Sequence, residues 1–275
     1  MKNQMQKNET DFERADFDRR FGGVRRLYGD AGLAKLQAAH VCVIGVGGVG
    51  SWAVEALARN AVGGLTLIDL DNVAESNVNR QIHALESEFG KAKVTAMRER
   101  IAQINPLCKV HEMEDFVTPE NVQPLLAHKF DVVIDATDDV KAKIAIAVFC
   151  KQHHLPLQVA GAAGGRLDPT RIQTADMAYV QGDKLLAKVR NLLRRDFGFP
   201  KGNLTVKKSH KFGLTCVYSN EEVIKPEASC DVPSSDAAMT GLNCAGYGSS
   251  VSVTATFGFV LAQLAINHIV KNKSC

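Results

Sequence analysis

The residues Gly45-Val46-Gly47-Gly48-Val49-Gly50 follow directly on the apolar run 41–44 and open a helical stretch. Glycines at this spacing allow a tight turn and close backbone approach, and the helix N-terminus behind them presents free N–H groups to a phosphate. Asp69 stands nineteen residues beyond Gly50, at the end of the next apolar run. A carboxylate there accepts both ribose hydroxyl protons, which predicts an adenosine ribose without a 2′-phosphate. A nicotinamide dehydrogenase needs no more than this, but the chain continues as 69–81, DLDNVAESNVNRQ. Asp71 and Asn77 lie in that run and join the nucleotide-binding candidates. Arg80 can clamp phosphates in a bidentate fashion, and Lys93, in the stretch 90–93 (GKAK), adds a point-like positive charge. Asp138, in 135–139 (DATDD), falls just past the fourth apolar run, where open α/β sheets place their ligands. An acid facing two cations and a triphosphate suits Mg²⁺. Taken singly, Arg80 could pair with a nearby Glu, Lys93 could be one more helix-surface lysine, and Asp138 could cap a helix.

The elements that must position these groups alternate. Strands are predicted at 41–46, 65–70, about 109–113, 131–136 and 155–160, and helices at roughly 49–60, 88–104, 119–127 and 140–153. The third helix is expected to open with Thr118 as N-cap and Pro119 in its first turn. The pattern is α/β: a Rossmann-like, doubly wound and mainly parallel sheet. It divides the chain into an N-terminal segment 1–30, a nucleotide-binding core 31–163 and a C-terminal part 164–275 continuous with the core. Beyond Gly164 the regular alternation fades. A basic segment follows, with nine Lys or Arg against two Asp over 183–211. Its reading is either a solvated helix face or a surface for RNA phosphates.

With 33 Lys+Arg against 30 Asp+Glu over 275 residues, the chain as a whole lacks the basicity of a dedicated nucleic-acid binder. Its seven cysteines (Cys42, Cys108, Cys150, Cys216, Cys230, Cys244, Cys275) are scattered and contain no CxxC pair, which argues against a disulfide scaffold and a four-cysteine zinc site. The charged stretch 1–20 has no apolar core of a secretory signal, so a reducing cytoplasm is expected. Residues 251–270 are long enough to cross a bilayer and carry no Lys, Arg, Asp or Glu. Ser252, Thr254, Thr256, Gln263, Asn267 and His268 within them favour a buried helix over membrane association.

Jointly the motifs GxGGxGS, DxDxVxxSNxNRQ, GKAK and DATDD resemble the adenylating, E1-like superfamily that includes ubiquitin-activating and sulfur-carrier-activating enzymes. Further segments (20–23, RFGG; 26–29, RLYG; 79–85, NRQIHAL; 115–119, DFVTP; 164–170, GGRLDPT; 253–259, VTATFGF) are similar to the tRNA threonylcarbamoyladenosine dehydratase branch. The resemblance covers roughly 19–270. It implies the E1-like type of the Rossmann sheet, and a reaction in which the carboxylate of N6-threonylcarbamoyladenosine at tRNA position 37 attacks the α-phosphate of ATP. A nitrogen of the same group then closes on the activated carbonyl and releases AMP. In these terms Gly45, Gly47, Gly48 and Gly50 hold phosphates and Asp69 holds the ribose. Asn77, Arg80 and Lys93 hold the triphosphate and Asp138 holds Mg²⁺, with Arg80, Lys93 and Asp138 as the catalytic set. Arg80 and Lys93 are expected to be exposed to the pocket. An arginine from the partner subunit's N-terminal segment reaches the triphosphate in the superfamily; Arg20, Arg25 and Arg26 are candidates, and Arg26 is preferred. Such an arginine implies a homodimer. The resemblance further implies tRNA as partner, raises a cysteine desulfurase or sulfur-acceptor system as a second, and leaves open a monovalent cation and a covalent role for Cys230 or Cys244. Adenylation of the C-terminus of a ubiquitin-like sulfur carrier is the competing enzymatic reading, and a non-catalytic nucleotide-sensing scaffold is the third.

Overall fold

The computed structural model describes residues 2–201, 210–224 and 247–271, with side chains from Asp16 onward. Five parallel strands carry the predicted alternation: β1 (His40–Ile44), β2 (Gly64–Ile68), β3 (Lys109–Met113), β4 (Val132–Asp135) and β5 (Leu157–Ala160). Two more strands complete the sheet, β6 (Ile172–Asp176) and β7 (Thr215–Ser219). The order is β3-β2-β1-β4-β5-β7-β6, parallel throughout except for the antiparallel edge strand β6. The mainly parallel sheet is therefore as the alternation predicts, with the direction of winding reversing between β1 and β4. The fading of regularity after Gly164 conceals β6 and β7. Edge strand β6 (IQTAD) is half polar, and β7 (TCVYS) carries no period-2 pattern because both its faces are covered.

Each face of the sheet has its own core. On one, α2 (Gly50–Arg59), α3 (Lys93–Ile104) and α7 (Val251–Lys271) cover Val41, Val43, Leu65, Leu67, Val132 and Ile134. On the other, α4 (Val122–Leu126), α5 (Val140–Gln152) and α6 (Lys184–Asp196) cover Cys42, Ile44, Val133, Val159 and Cys216. A long helix α1 (Lys2–Ala38), interrupted at Gly29 (φ 73°), leads into β1. The apolar stretch 251–270 is explained by packing: Val253, Phe257, Leu261, Ala265 and Ile266 of α7 lie against α2 and the sheet.

Two helix predictions need correction. Gly90 sits at φ +83° and ends any helical path from 88, so α3 starts at Lys93 instead. Helix α4 starts at Val122, because Thr118 and Pro119 form a turn in which the Thr118 amide donates to Asn121 Oδ1 (2.7 Å) and the Val122 amide to the Thr118 carbonyl (3.0 Å). Thr118 caps this turn as expected, its Oγ1 accepting from the Glu120 amide (3.3 Å), with Pro119 next in line; only the start of the regular helix moves, to Val122.

Helices α2 and α7 approach closely at Gly258. A Cβ there would lie 2.5 Å from the Val49 carbonyl oxygen and 2.8 Å from the Ala53 amide nitrogen, both backbone atoms that move only if the helices separate. Gly258→Ala is expected to cost about 1–3 kcal/mol of stability in urea unfolding. Unchanged stability would contradict the described approach.

Candidate functional site

The glycine turn lies between the carboxyl ends of β1 and β4, the switch point where open sheets bind ligands. Gly45 adopts φ +84°, and a Cβ on it would meet the Ala136 carbonyl and Thr137 amide within 3.0 Å. A Cβ on Gly50 would sit 1.8 Å from the Gly45 carbonyl oxygen. Both positions therefore require glycine, one for its dihedral and both for room. The amides of Gly47, Gly48 and Val49 have no backbone acceptor among the described residues. Together with the α2 dipole they form an anion-binding terminus.

Asp69 is buried beneath this turn. Its Oδ2 accepts from the Val46 amide (2.6 Å) and its Oδ1 from the Asp71 amide (2.9 Å). Burial raises its pKa above the usual carboxylate value, against the opposing pull of Lys93 and the two amides. The Lys93 ammonium bonds Asp71 Oδ2 at 2.7 Å and lies 4.0 Å from Asp69 Oδ1. Residues 71–73 and 90–93 zip together to bring it there: the Val73 amide donates to the Lys91 carbonyl, the Gly90 amide to the Val73 carbonyl, and the Lys93 amide to the Asp71 carbonyl. Lys93 is only 5% exposed, so the expectation of a pocket-exposed lysine is corrected. It is the shared counter-ion of two acids at the head of α3.

Arg80 is half-buried, its aliphatic stem lying over Gly48, where a Cβ would be 3.2 Å from Cγ and Cδ. Its Nη1 donates to the Ser76 carbonyl (2.7 Å) and Asn79 Oδ1 (3.0 Å), while its own carbonyl accepts from Trp52 Nε1 of α2 (2.9 Å). Asn77 is buried and folds the 74–77 turn through its Oδ1, which accepts from the Ala74 amide. Asp138 is exposed at the head of α5. The capping role belongs to its neighbour Asp139, which accepts from the Ala142 amide at 2.7 Å. The structure brings the glycine turn, Asp69, Asp71, Lys93 and Arg80 together, while Asn77 braces the turn before Arg80 and Asp138 follows the Thr137 amide that a Cβ on Gly45 would meet.

The N-terminal arginines are distributed differently. Arg20 pairs with Asp16 and donates to the carbonyls of Gln103 and Ile104, and Arg25 pairs with Asp18 and Asp30. Arg26 is exposed and makes no ion pair or hydrogen bond among the described residues. Cys230, Cys244, Lys207 and Lys208 lie outside the described residues. Within the basic segment, Arg190 donates to the Val180 carbonyl, Arg194 donates to the Pro200 carbonyl and stacks 5.4 Å over Phe212, and Arg195 pairs with Asp196. Lys184, Lys188, Lys201 and Lys211 remain exposed.

Two residues escaped sequence reasoning. Gln81 is buried with its Nε2 3.8 Å from where a Gly47 Cβ would be. Its place next to Arg80 in the run 76–81 was the available signal. His83 is 2% exposed, with neither ring nitrogen hydrogen-bonded among the described residues. Burial, followed by Lys93 and Arg100, lowers its pKa to about 4. It lines a cleft of about 530 Å³ bordered by Arg20, Arg59 and Arg100, beside the glycine turn's own site and not part of it.

The ThiF family model matches residues 22–274. The tRNA threonylcarbamoyladenosine dehydratase of Escherichia coli K12 is 46% identical over 256 residues, 92% of each chain. That of Haemophilus influenzae is 44% identical, covering 94% of this chain and 96% of its own. Among solved structures, the E. coli dehydratase in complex with ATP superposes with a TM-score of 0.81 at 43% identity, covering 92% of this chain and 95% of the other. Its AMP complex gives 0.82 at 44% identity, with 92% and 95% covered.

His83 makes a pH prediction. Its folded pKa of about 4 lies below the ordinary 6.5, so on acidification the unfolded chain takes up the proton first. The stability that neutral His83 supports is complete above pH 6.5 and is lost as pH falls toward 4. His83→Gln should remove this part of the acid-side slope, about 1.4 kcal/mol per pH unit or about 3 kcal/mol across the window. Denaturant unfolding at pH 4.5, 5.5 and 7 measures it; identical slopes in both proteins would refute the assignment.

Proposed function

The chain belongs to the ThiF family, and from that premise we infer that it is an ATP-dependent enzyme that dehydrates N6-threonylcarbamoyladenosine in tRNA to its cyclic form. The observation that carries this reading is near-full-length similarity to dehydratases, one of them solved with ATP and with AMP, joined to a glycine turn and charged cluster that suit a nucleotide. A carboxylate is a poor electrophile, and AMP is a good leaving group. The substrate carboxylate attacks the α-phosphate of ATP and expels pyrophosphate. A nitrogen of the same modification then attacks the acyl carbon, and AMP departs with one of the original carboxylate oxygens.

The residues divide this work. The amides behind Gly47 and Gly48 hold phosphate, and Asp69, its carboxylate aimed by two amides, accepts from the ribose hydroxyls. Arg80 swings from its local carbonyl and Asn79 onto the phosphates, neutralising charge that develops as pyrophosphate leaves. Lys93 adds a fixed positive potential, and Asn77 holds the turn that presents Arg80. Asp138 fits Mg²⁺, because this ion needs only one or two carboxylates beside phosphate oxygens and not a protein cage. When bound, Mg²⁺ supplies charge neutralisation on the leaving pyrophosphate. Arg26, outward-facing on α1, is the arginine offered in trans within a homodimer, whereas Arg20 and Arg25 are held by their own chain. No residue is assigned to a monovalent cation. The reading places the protein in the cytoplasm, where its tRNA substrate resides.

Purified protein given ATP and tRNA with the open modification should remove the mass of one water from that nucleoside in mass spectrometry. Arg80→Ala should lower turnover ~10²-fold or more while shifting stability by no more than about 0.5 kcal/mol. An unchanged nucleoside, with adenylation of a ubiquitin-like carrier instead, would replace this function by the sulfur-carrier reading.

For tRNA contact the four exposed lysines Lys184, Lys188, Lys201 and Lys211 are the proposed phosphate partners. Their joint change to Gln should weaken tRNA binding and flatten the log-log salt slope by at most about one unit per lost contact, with ATP binding intact. An unaltered slope would return the segment to a solvated face. Arg194→Ala should chiefly destabilise, since that side chain serves Pro200 and Phe212.

A further inference from the structure

We propose that Asp135 is a positioning residue for adenylation: its buried carboxylate, oriented by Lys143, pins the β4–α5 turn that sets Asp138 and seats the glycine turn. Asp135 ends β4 and Lys143 lies in the first turns of α5, and both side chains are fully buried with Nζ 3.2 Å from Oδ1. The same Oδ1 accepts from the Thr137 amide (3.0 Å) and the Thr137 hydroxyl (2.7 Å), so one oxygen gathers the whole turn. The Thr137 amide held in this way, with the Ala136 carbonyl beside it, is what a Cβ on Gly45 would meet, and Asp138 is the next residue along. A displaced Asp135 carboxylate would move both sides of the phosphate site.

Stability does not explain the pair. Two charges taken out of water are costly, and apolar replacement of a buried pair is often neutral or stabilising. Here the pair is incompletely satisfied: Asp135 Oδ2 and Lys143 Nζ have no hydrogen-bond partner among the described residues, and their surroundings include the buried thiols of Cys150 and Cys216. What the arrangement supplies is direction. Lys143 holds one carboxylate oxygen at the place where the turn converges. The inference rests on the reading that Asp138 serves the triphosphate.

Three variants of the full chain test it, each read by tRNA-dependent adenylation kinetics, thermal unfolding, and calorimetry of ATP binding with and without Mg²⁺. D135L/K143M removes both charges and the acceptor for Thr137. It should unfold cooperatively near the wild-type Tm, with kcat down roughly 10- to 100-fold, KM for tRNA unchanged, and less strengthening of ATP binding by Mg²⁺. D135N/K143M restores an acceptor of the same shape without charge and should recover part of the loss, the remainder reporting the missing Lys143. Wild-type kinetics in D135L/K143M, failure of that variant to fold, or equal defects in the two double variants would each overturn the proposal. Asp138→Asn separates the premise. If it is impaired while D135L/K143M is normal, the positioning role alone fails; if it is normal while D135L/K143M is impaired, the Asp138 assignment fails.

Discussion

The hydrogen bond from the Val46 amide to the buried Asp69 carboxylate, at 2.6 Å, is the contact on which the site depends. It joins the turn after β1 to the end of β2, so the phosphate-facing backbone and the ribose-facing acid share a single frame. Burial works against the charged form of Asp69, and the Asp71 amide and the Lys93 ammonium offset that cost. Lys93 in turn needs the 71–73 and 90–93 segments zipped together, which fixes where α3 begins. An apparently local carboxylate thereby determines the start of a helix more than twenty residues away.

Much of this was legible in the residues. Strands β1, β2, β4 and β5 announce themselves as short apolar runs between helical stretches, whereas edge strand β3 (KVHEM) is legible only by its place in the alternation, and the glycine turn followed by Asp69 carries a spacing that few other arrangements need. What was not legible has physical reasons. Strand β7 is covered on both faces and shows no alternation, while β6 lies at an edge and is half polar. Lys93 reads as a cation exposed to the pocket because a sequence does not show that two acids will surround it. Asp138 and Asp139 are adjacent, and only the Ala142 amide tells which one caps α5. Gln81 and His83 sit in the same run as Arg80, but nothing in their type or spacing announces that both will be buried.

Charge counting was similarly incomplete. The basic segment has an excess that suggests an RNA surface, yet α6 is amphipathic and spends its arginines on the protein itself: on the Val180 and Pro200 carbonyls, the Phe212 ring and Asp196. Lysines are left on the outside. That division follows from chemistry, since a planar guanidinium satisfies several carbonyls and stacks on a ring, whereas an ammonium on a flexible stem remains better hydrated.

Helix α7 packs along α2 and covers the β4, β5 and β7 part of one face of the sheet, although about two hundred residues separate it from β1. During synthesis from the N-terminus, the first half is made early with part of its apolar face uncovered. The part over β4, β5 and β7 stays uncovered until residues 253–269 have left the ribosome, so the sheet completes its packing late and through contacts distant in sequence. A premature stop before α7 would leave that apolar surface without its cover, a fragment open to aggregation in place of a weakened enzyme.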